Sequence, residues 1–220
     1  MKLMLSKVLA WIVGLSLCTT VAAQEARVAV VLETPLGAIE LAIDIENSPL
    51  AANYWIGFVD RGQYDGATLY RSGSLDDGDT PQLVQGGLLE AALISQEPVN
   101  PADYGVQELL AEWDAAQSDE GQHRRGTIGL ARDLLQTGSV IPEIVFTLRD
   151  APSMNEGVEG RFDARGFPVI GEVTRGIEII EEISRLEANG DTSIPFLEGQ
   201  ILTVPVEIVR AYRQASATTK

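Results

Sequence analysis

The sequence predicts an all-β protein, a barrel or sandwich that carries two α-helices. Short segments of alternating apolar and polar residues recur along most of the chain, which is typical of β-strands separated by turns. Only two segments have the period of an amphipathic helix, one early and one late. Because the strands do not alternate regularly with helices, βαβ units are excluded and a barrel or sandwich is favoured.

Residues 1–23 predict a secretory signal peptide that does not belong to the fold. Lys2 and Lys7 precede the apolar run VLAWIVGLSLC, and small residues follow it up to Ala23, as signal peptides require. The run is shorter than the roughly 20 apolar residues of a membrane-spanning helix. Cys18 leaves a lipoprotein as the alternative, although Leu17 is bulky where such sites need a small residue. We therefore expect a periplasmic or secreted protein with no stable membrane insertion after cleavage.

Composition narrows the possible partners and cofactors. The chain has 220 residues, one cysteine and a net charge of −16, and such a charge repels nucleic acid and anionic membranes. Its cysteine lies in the predicted signal peptide, so the mature chain would have neither a disulfide nor a thiolate metal site. The length fits one folded domain, which we place at residues 27–212, and residues 213–220 predict a flexible tail.

The first part of the folded domain predicts a β-hairpin followed by a helix. Apolar residues alternate on both sides of a Pro-Gly turn in residues 27–44. Ser48 is suited to cap a helix, Pro49 to open it and Gly62 to end it. The apolar stripe of this helix is predicted to consist of Leu50, Tyr54, Ile56, Phe58 and Val59.

The rest of the chain predicts further short strands and one late helix. The strands are LYR, PQLVQGG, GTIGLAR, PEIVFTLRD, GFPVIGEV and LTVPVEIVRAYR, and the helix is TRGIEIIEEISRL, with Ile177, Ile180 and Ile183 on one side. The acidic loop GSLDDGD joins the first two of these strands, and its aspartates lack the ligand spacing of a calcium loop. Residues 88–122 predict a long excursion with one helical turn.

Six motifs occur in the order and spacing of the cyclophilin-type peptidyl-prolyl isomerases. They are TPLGAIELAID, SPLAANYWIGFVDRGQYDGATLYR, QLVQGG, HRRGTIGLARD, PEIVFTLRDAPSMN and RGFPVIGEVTRGIEIIEEI, spread over most of the mature chain. The sequence therefore resembles this family, and within it the bacterial secreted branch. The resemblance implies an all-β fold, a closed eight-stranded antiparallel barrel capped by two α-helices, with a peptide groove on its outer face.

The resemblance also implies that Arg71 is catalytic, because it falls where the family keeps its catalytic arginine. Rotation about an Xaa-Pro bond loses amide resonance, at a barrier of about 18–20 kcal/mol, and the proline nitrogen then becomes basic enough to accept a hydrogen bond. A guanidinium fixed beside that nitrogen stabilises the twisted state more than either planar state. The alternative for Arg71 is a solvent-exposed residue at a strand end.

Seven more residues match substrate-binding positions of the family. Gln85 would bind the substrate backbone and Ala131 would contact the residue before proline. The full set is Leu83, Gln85, Ala131, Arg132, Val145, Met154 and Phe167. Neither a metal nor a cofactor is implied, and the lone histidine, His123, matches a structural position.

Two departures from the family pattern concern the proline pocket. Gln82 stands where the family has a phenylalanine, and Val145 stands where it has a second pocket aromatic. Because aromatic side chains contribute large buried areas, their loss predicts a wider, more polar pocket and weak activity. Met154 could fill part of the gap.

The sequence thus predicts a monomeric peptidyl-prolyl cis-trans isomerase that assists the folding of exported proteins. Its partners would be proline-containing peptides or unfolded exported proteins. One alternative is a catalytically weak or inactive cyclophilin-like module that binds peptides as a chaperone. A more distant alternative is a β-barrel ligand binder unrelated to proline.

Overall fold

This computed structural model describes residues 27–75, 80–95, 122–132, 140–155 and 166–215. Their main element is one antiparallel sheet of nine strands. The strands are β1 (Arg27–Thr34), β2 (Gly37–Asp44), β3 (Thr68–Gly73), β4 (Leu83–Gly87), β5 (Thr127–Arg132), β6 (Val140–Thr147), β7 (Val169–Arg175), β8 (Ile201–Glu207) and β9 (Arg210–Arg213). The helices are α1 (Pro49–Asp60), α2 (Glu90–Ser95) and α3 (Ile177–Ile183). The order in the sheet is β8-β3-β4-β6-β5-β7-β2-β1-β9. The predicted all-β fold with few helices is confirmed.

The two edge strands of this sheet, β8 and β9, follow one another in the chain. The segment predicted as one final strand is split: β8 pairs with β3, and β9 pairs with β1 at the opposite edge. Between them, the N–H of Ile208 donates to Ala67 O at 2.7 Å and the N–H of Val209 donates to Glu33 O at 2.8 Å. The sheet therefore curls until its last segment bridges both edges, so a closed eight-stranded barrel describes it only approximately.

The main core lies inside this curl and is covered by α1. Alternate residues of β1 and β2 point inward, as the predicted hairpin requires. The buried face of α1 consists of Ala51, Ala52, Trp55, Ile56, Phe58 and Val59. Leu50 and Tyr54, predicted on that face, are only partly buried, and Trp55 takes the central place. Ser48 precedes the helix, but its hydroxyl donates to Val169 O instead of capping α1.

The late helix and the long excursion agree with their predictions where they are described. In α3, Ile180 and Ile183 are buried and Ile177 packs against the core. The helical turn predicted in residues 88–122 is α2. The predicted signal peptide, the acidic loop at 76–79 and most of the tail lie outside the described residues. Among the helices that are described, none is long and apolar enough to cross a membrane.

Candidate active site

A β-bulge in β3 turns Arg71 away from the core. In a regular strand, residues 69 and 71 would share one face, yet Leu69 is fully buried in the main core. The pairing with β4 moves from Leu69 opposite Gly86 to Arg71 opposite Gln85, which leaves Tyr70 as an extra residue on β3. Bulges of this kind re-aim side chains. Arg71 therefore points into a pocket on the outer face of the sheet, beside its cross-strand partner Gln85.

Close approach of the backbones accompanies the bulge. A Cβ atom on Gly86 would lie 2.1 Å from Thr68 O and 2.6 Å from Leu69 Cα. Only glycine leaves room for β3 and β4 at this point, since contacts that short do not occur between real atoms. The glycine pair at the end of β4 thus allows the local geometry that presents Arg71.

Two glutamine side chains hold the Arg71 guanidinium. Its Nη1 donates to Gln85 Oε1 at 2.9 Å, while Nε and Nη2 both donate to Gln200 Oε1 at 3.1 and 2.8 Å. Arg71 is only 7% exposed, so the strand-end alternative in solvent is wrong. Burial lowers the pKa of Arg71 to about 10, which still leaves the group charged at neutral pH. The site therefore contains a fixed positive charge that donates hydrogen bonds.

The pocket around Arg71 is a cavity of about 100 Å³ with mostly apolar walls. It brings together all eight residues predicted for the site: Arg71, Leu83, Gln85, Ala131, Arg132, Val145, Met154 and Phe167. Alternation in β4 places Leu83 and Gln85 here while Val84 enters the main core. The consecutive residues Ala131 and Arg132 both line the pocket because the pairing of β5 with β6 shifts between Leu130 and Arg132.

Comparisons with known proteins decide the family. The sequence model described as "Cyclophilin type peptidyl-prolyl cis-trans isomerase/CLD" matches residues 29–209. The chain belongs to the cyclophilin family. A curated relative, peptidyl-prolyl cis-trans isomerase A of Dickeya dadantii (strain 3937), is 27% identical over 163 residues, which are 72% of each chain. The predicted family and class of enzyme are confirmed, and the non-catalytic alternative is not favoured.

Solved cyclophilins share the fold of this chain. A cyclophilin-type isomerase of Cryptosporidium parvum superposes with a TM-score of 0.57 at 12% identity, over 86% of this chain and 99% of its own. The same protein in the presence of the dipeptide Ala-Pro gives 0.56, with the same identity and coverage. The cyclophilin AquaCyp293 from Hirschia baltica gives 0.53 at 16% identity, over 87% and 76% of the two chains.

The predicted polarity of this cyclophilin's pocket is not found among its described residues. Gln82 does not line the pocket: its Oε1 accepts from the N–H of Leu75 at 3.2 Å, and its Nε2 donates to Asp150 O at 3.3 Å. It therefore ties the loop after β3 to the loop after β6. Val145 does line the pocket, but Phe167 and Phe196 supply aromatic walls from other segments. The pocket thus stays apolar despite the two departures.

The segment from Ile194 to Gln200 is one part of the site that the sequence did not reveal. It contributes Ile194, Phe196 and Leu197 to the pocket wall and Gln200 to the anchoring of Arg71. Gln200 Nε2 also donates to Phe196 O at 2.8 Å, so one side chain connects the guanidinium to this wall. The only signal in the sequence was an apolar IPFL run within a polar stretch.

His123 has a structural position, as predicted. Its backbone N–H donates to Asn155 Oδ1 at 2.9 Å, and its Nδ1 lies 3.0 Å from the same oxygen. The ring also meets the edge of Phe167, with 6.4 Å between ring centroids. These contacts fix the entry to β5 beside the pocket. No group of three or more possible metal ligands occurs within the described ranges.

Proposed function

We propose that this cyclophilin catalyses cis-trans isomerisation of Xaa-Pro bonds in the pocket around Arg71. The observation that carries the proposal is a buried, charged guanidinium on the wall of an apolar pocket, held from two sides by Gln85 and Gln200. An apolar wall suits a pyrrolidine ring, and a fixed donor suits the nitrogen of that ring. The pocket offers both within one cavity.

Catalysis would follow from the difference between the planar and twisted states of the bond. In either planar state the proline nitrogen is conjugated and accepts no hydrogen bond, whereas the twisted state has a free electron pair on that nitrogen. Arg71 would donate to this pair, so the interaction exists only at the transition state. Because the guanidinium is already oriented and dehydrated, little reorganisation is needed. Each 1.4 kcal/mol gained in this way is roughly a tenfold increase in rate.

The remaining pocket residues would bind and orient the peptide. Leu83, Val145, Met154 and Phe167 would enclose the proline ring, since they form one apolar cluster beside Arg71. Ala131 would contact the residue before proline, and Gln85 would bind the peptide backbone. Arg132, whose Nη1 donates to Gly166 O at 3.3 Å, would support the rim on the same side.

The cellular role that we propose is the folding of exported proteins in the periplasm or outside the cell. The signal peptide predicted at residues 1–23 supports it, as does a net charge of −16, which disfavours nucleic-acid partners. The substrates would be unfolded, proline-containing chains, and the protein would act as a monomer. N-terminal sequencing of the protein from separated cell fractions tests the export, and a chain that still begins at Met1 in the cytoplasm would contradict it.

The activity is tested by cis-trans exchange of an Ala-Pro peptide, measured by NMR with catalytic amounts of protein. We expect the native protein to accelerate exchange and Arg71→Ala to abolish the acceleration, with circular dichroism showing that the fold is kept. Arg175→Ala is the matched control, because Arg175 is an exposed arginine paired with Glu40 outside the pocket. No acceleration by the folded native protein would contradict the proposed catalysis.

A further inference from the structure

A carboxyl group is buried directly behind the pocket, and the proposed mechanism does not use it. Glu143 lies on β6, is fully buried, and pairs across the sheet with Gly87. A Cβ atom on Gly87 would lie 2.6 Å from Glu143 Oε1, so this glycine provides the space for the carboxyl. Both oxygens accept hydrogen bonds: Oε1 from the N–H of Leu89 at 2.6 Å, and Oε2 from the hydroxyl of Tyr70 at 2.8 Å.

A directed chain of hydrogen bonds connects Glu143 to Arg71. Arg71 Nη1 donates to Gln85 Oε1 at 2.9 Å, Gln85 Nε2 donates to the Tyr70 hydroxyl oxygen at 3.2 Å, and Tyr70 donates to Glu143 Oε2. Every link runs in the same direction, from the guanidinium to the carboxylate. Because Arg71 can only donate and an ionised Glu143 can only accept, the two ends of the chain agree on which end of the Gln85 amide faces Arg71.

We propose that Glu143 is a positioning residue for the isomerase reaction: its carboxylate, acting through Tyr70 and Gln85, fixes the amide that holds Arg71. This inference rests on the catalytic role proposed for Arg71. A proton on Glu143 is better accommodated on Oε2, because the Tyr70 hydroxyl can accept as well as donate, whereas the N–H of Leu89 at Oε1 can only donate. That proton would be donated to Tyr70, whose own hydrogen would then turn to Gln85.

Reversal of the chain would disturb the guanidinium. To accept from Tyr70, the Gln85 amide must rotate and present its oxygen, and its NH₂ group then faces Arg71 Nη1. Two donors in contact repel each other, so Arg71 would lose one of its two anchors. The ionised state of Glu143 is therefore the one that holds the guanidinium in place.

Glu143 can change its protonation state near neutral pH. Burial raises its pKa to about 8, against the lowering effect of hydrogen bonds from Tyr70 and from the backbone N–H groups of Leu89 and Leu88, and the nearby Glu90 raises it further. The titratable groups that face it are Tyr70 on β3, Tyr64 before β3 and Glu90 on α2. Burial raises the pKa of both tyrosines well above its usual value, so they remain neutral while Glu143 titrates.

The test is the pH profile of kcat/KM for isomerisation between about pH 6 and about pH 9. We expect kcat/KM of the native protein to rise about tenfold as the pH increases through about 8. A hydrogen bond to a charged group contributes enough free energy for a change of about that size. Glu143→Gln and Tyr70→Phe should both flatten the profile, the first by removing the titration and the second by cutting the chain. Glu90→Gln is the matched control and should keep the rise at a slightly lower pH.

Each outcome decides between positioning and a merely structural role. A rise that persists in Glu143→Gln, or a flat profile in the active native protein, would overturn the proposal. If Glu143→Gln does not fold, Tyr70→Phe still cuts the chain and decides in the same way. If the native protein shows no turnover at any pH, the proposed function fails, and the ¹⁵N shift of the Arg71 guanidinium then decides. A shift that follows pH near 8 in the native protein, but not in Tyr70→Phe, would support the chain, and a constant shift would overturn it.

Discussion

Phe196 offers a direct test of how the pocket wall contributes to peptide binding. Phe196 lines the pocket and is 55% exposed. Since an aromatic side chain presents about 150–250 Å², about 100 Å² of this residue remains open to solvent. A peptide that covers half of that area would bury about 50 Å², worth about 1.3 kcal/mol at about 25 cal/mol per Å². Phe196→Ala should therefore raise the Kd of an Ala-Pro peptide about ninefold.

The assay is an NMR titration of the peptide, with kcat measured at saturating substrate. We expect Kd to rise and kcat to stay nearly constant, because the carbonyl of residue 196 can still accept from Gln200 and Arg71 keeps its anchor. Val209→Ala is the matched control, since Val209 is 51% exposed and does not line the pocket among the described residues. A Kd that changes less than about twofold, or equally in both variants, would refute the reasoning.

Three further predictions concern stability and pocket shape. The pKa of Glu143 rises from 4.5 to about 8 on folding, so the folded state holds this proton more tightly, and stability should fall as pH rises from about 5 to about 8. The upper limit of that fall is about 5 kcal/mol, and urea denaturation should show the slope in the native protein but not in Glu143→Gln. Gly86→Ala should lower the free energy of unfolding by about 2 kcal/mol or more, because its Cβ would meet backbone atoms. Gly57→Ala within α1 should change it by less than about 1 kcal/mol, because the nearest contact of the new Cβ atom is the flexible end of the Arg61 side chain. Gln82→Phe should not tighten peptide binding, since residue 82 does not face the pocket; tighter binding in the NMR titration would contradict that placement.

The strands and the pocket residues could be predicted because they depend on local pattern and family motifs. Alternation in residues 27–44 defines a hairpin without knowledge of its neighbours, and Arg71, Gln85 and Phe167, which the motifs singled out, line one cavity. The bulge at Tyr70 could not be predicted, because it depends on the register between β3 and β4 and not on either sequence alone.

Long-range contacts account for the other differences from prediction. Gln82 was assigned to the pocket by motif position, but its side chain follows hydrogen bonds to two loops that the sequence does not bring together. Glu143 would be predicted at a surface from its charge, and only the space above Gly87 explains how it is buried. Trp55 took the centre of the α1 face because the curl of the sheet determines which side of the helix is covered.

The bridging segment at the end of the sheet has a consequence for the order of folding. Arg71 and Gln200, its anchor just before β8, are 129 residues apart in the chain, and β8 completes the pairing of β3. Contacts of such long sequence separation form slowly, because a large loop must close before they stabilise anything. The anchored geometry of Arg71 therefore cannot assemble on a growing chain until almost all of the domain has been synthesised. With the export that we propose, the chain would acquire its proposed activity only after it has crossed the membrane and folded.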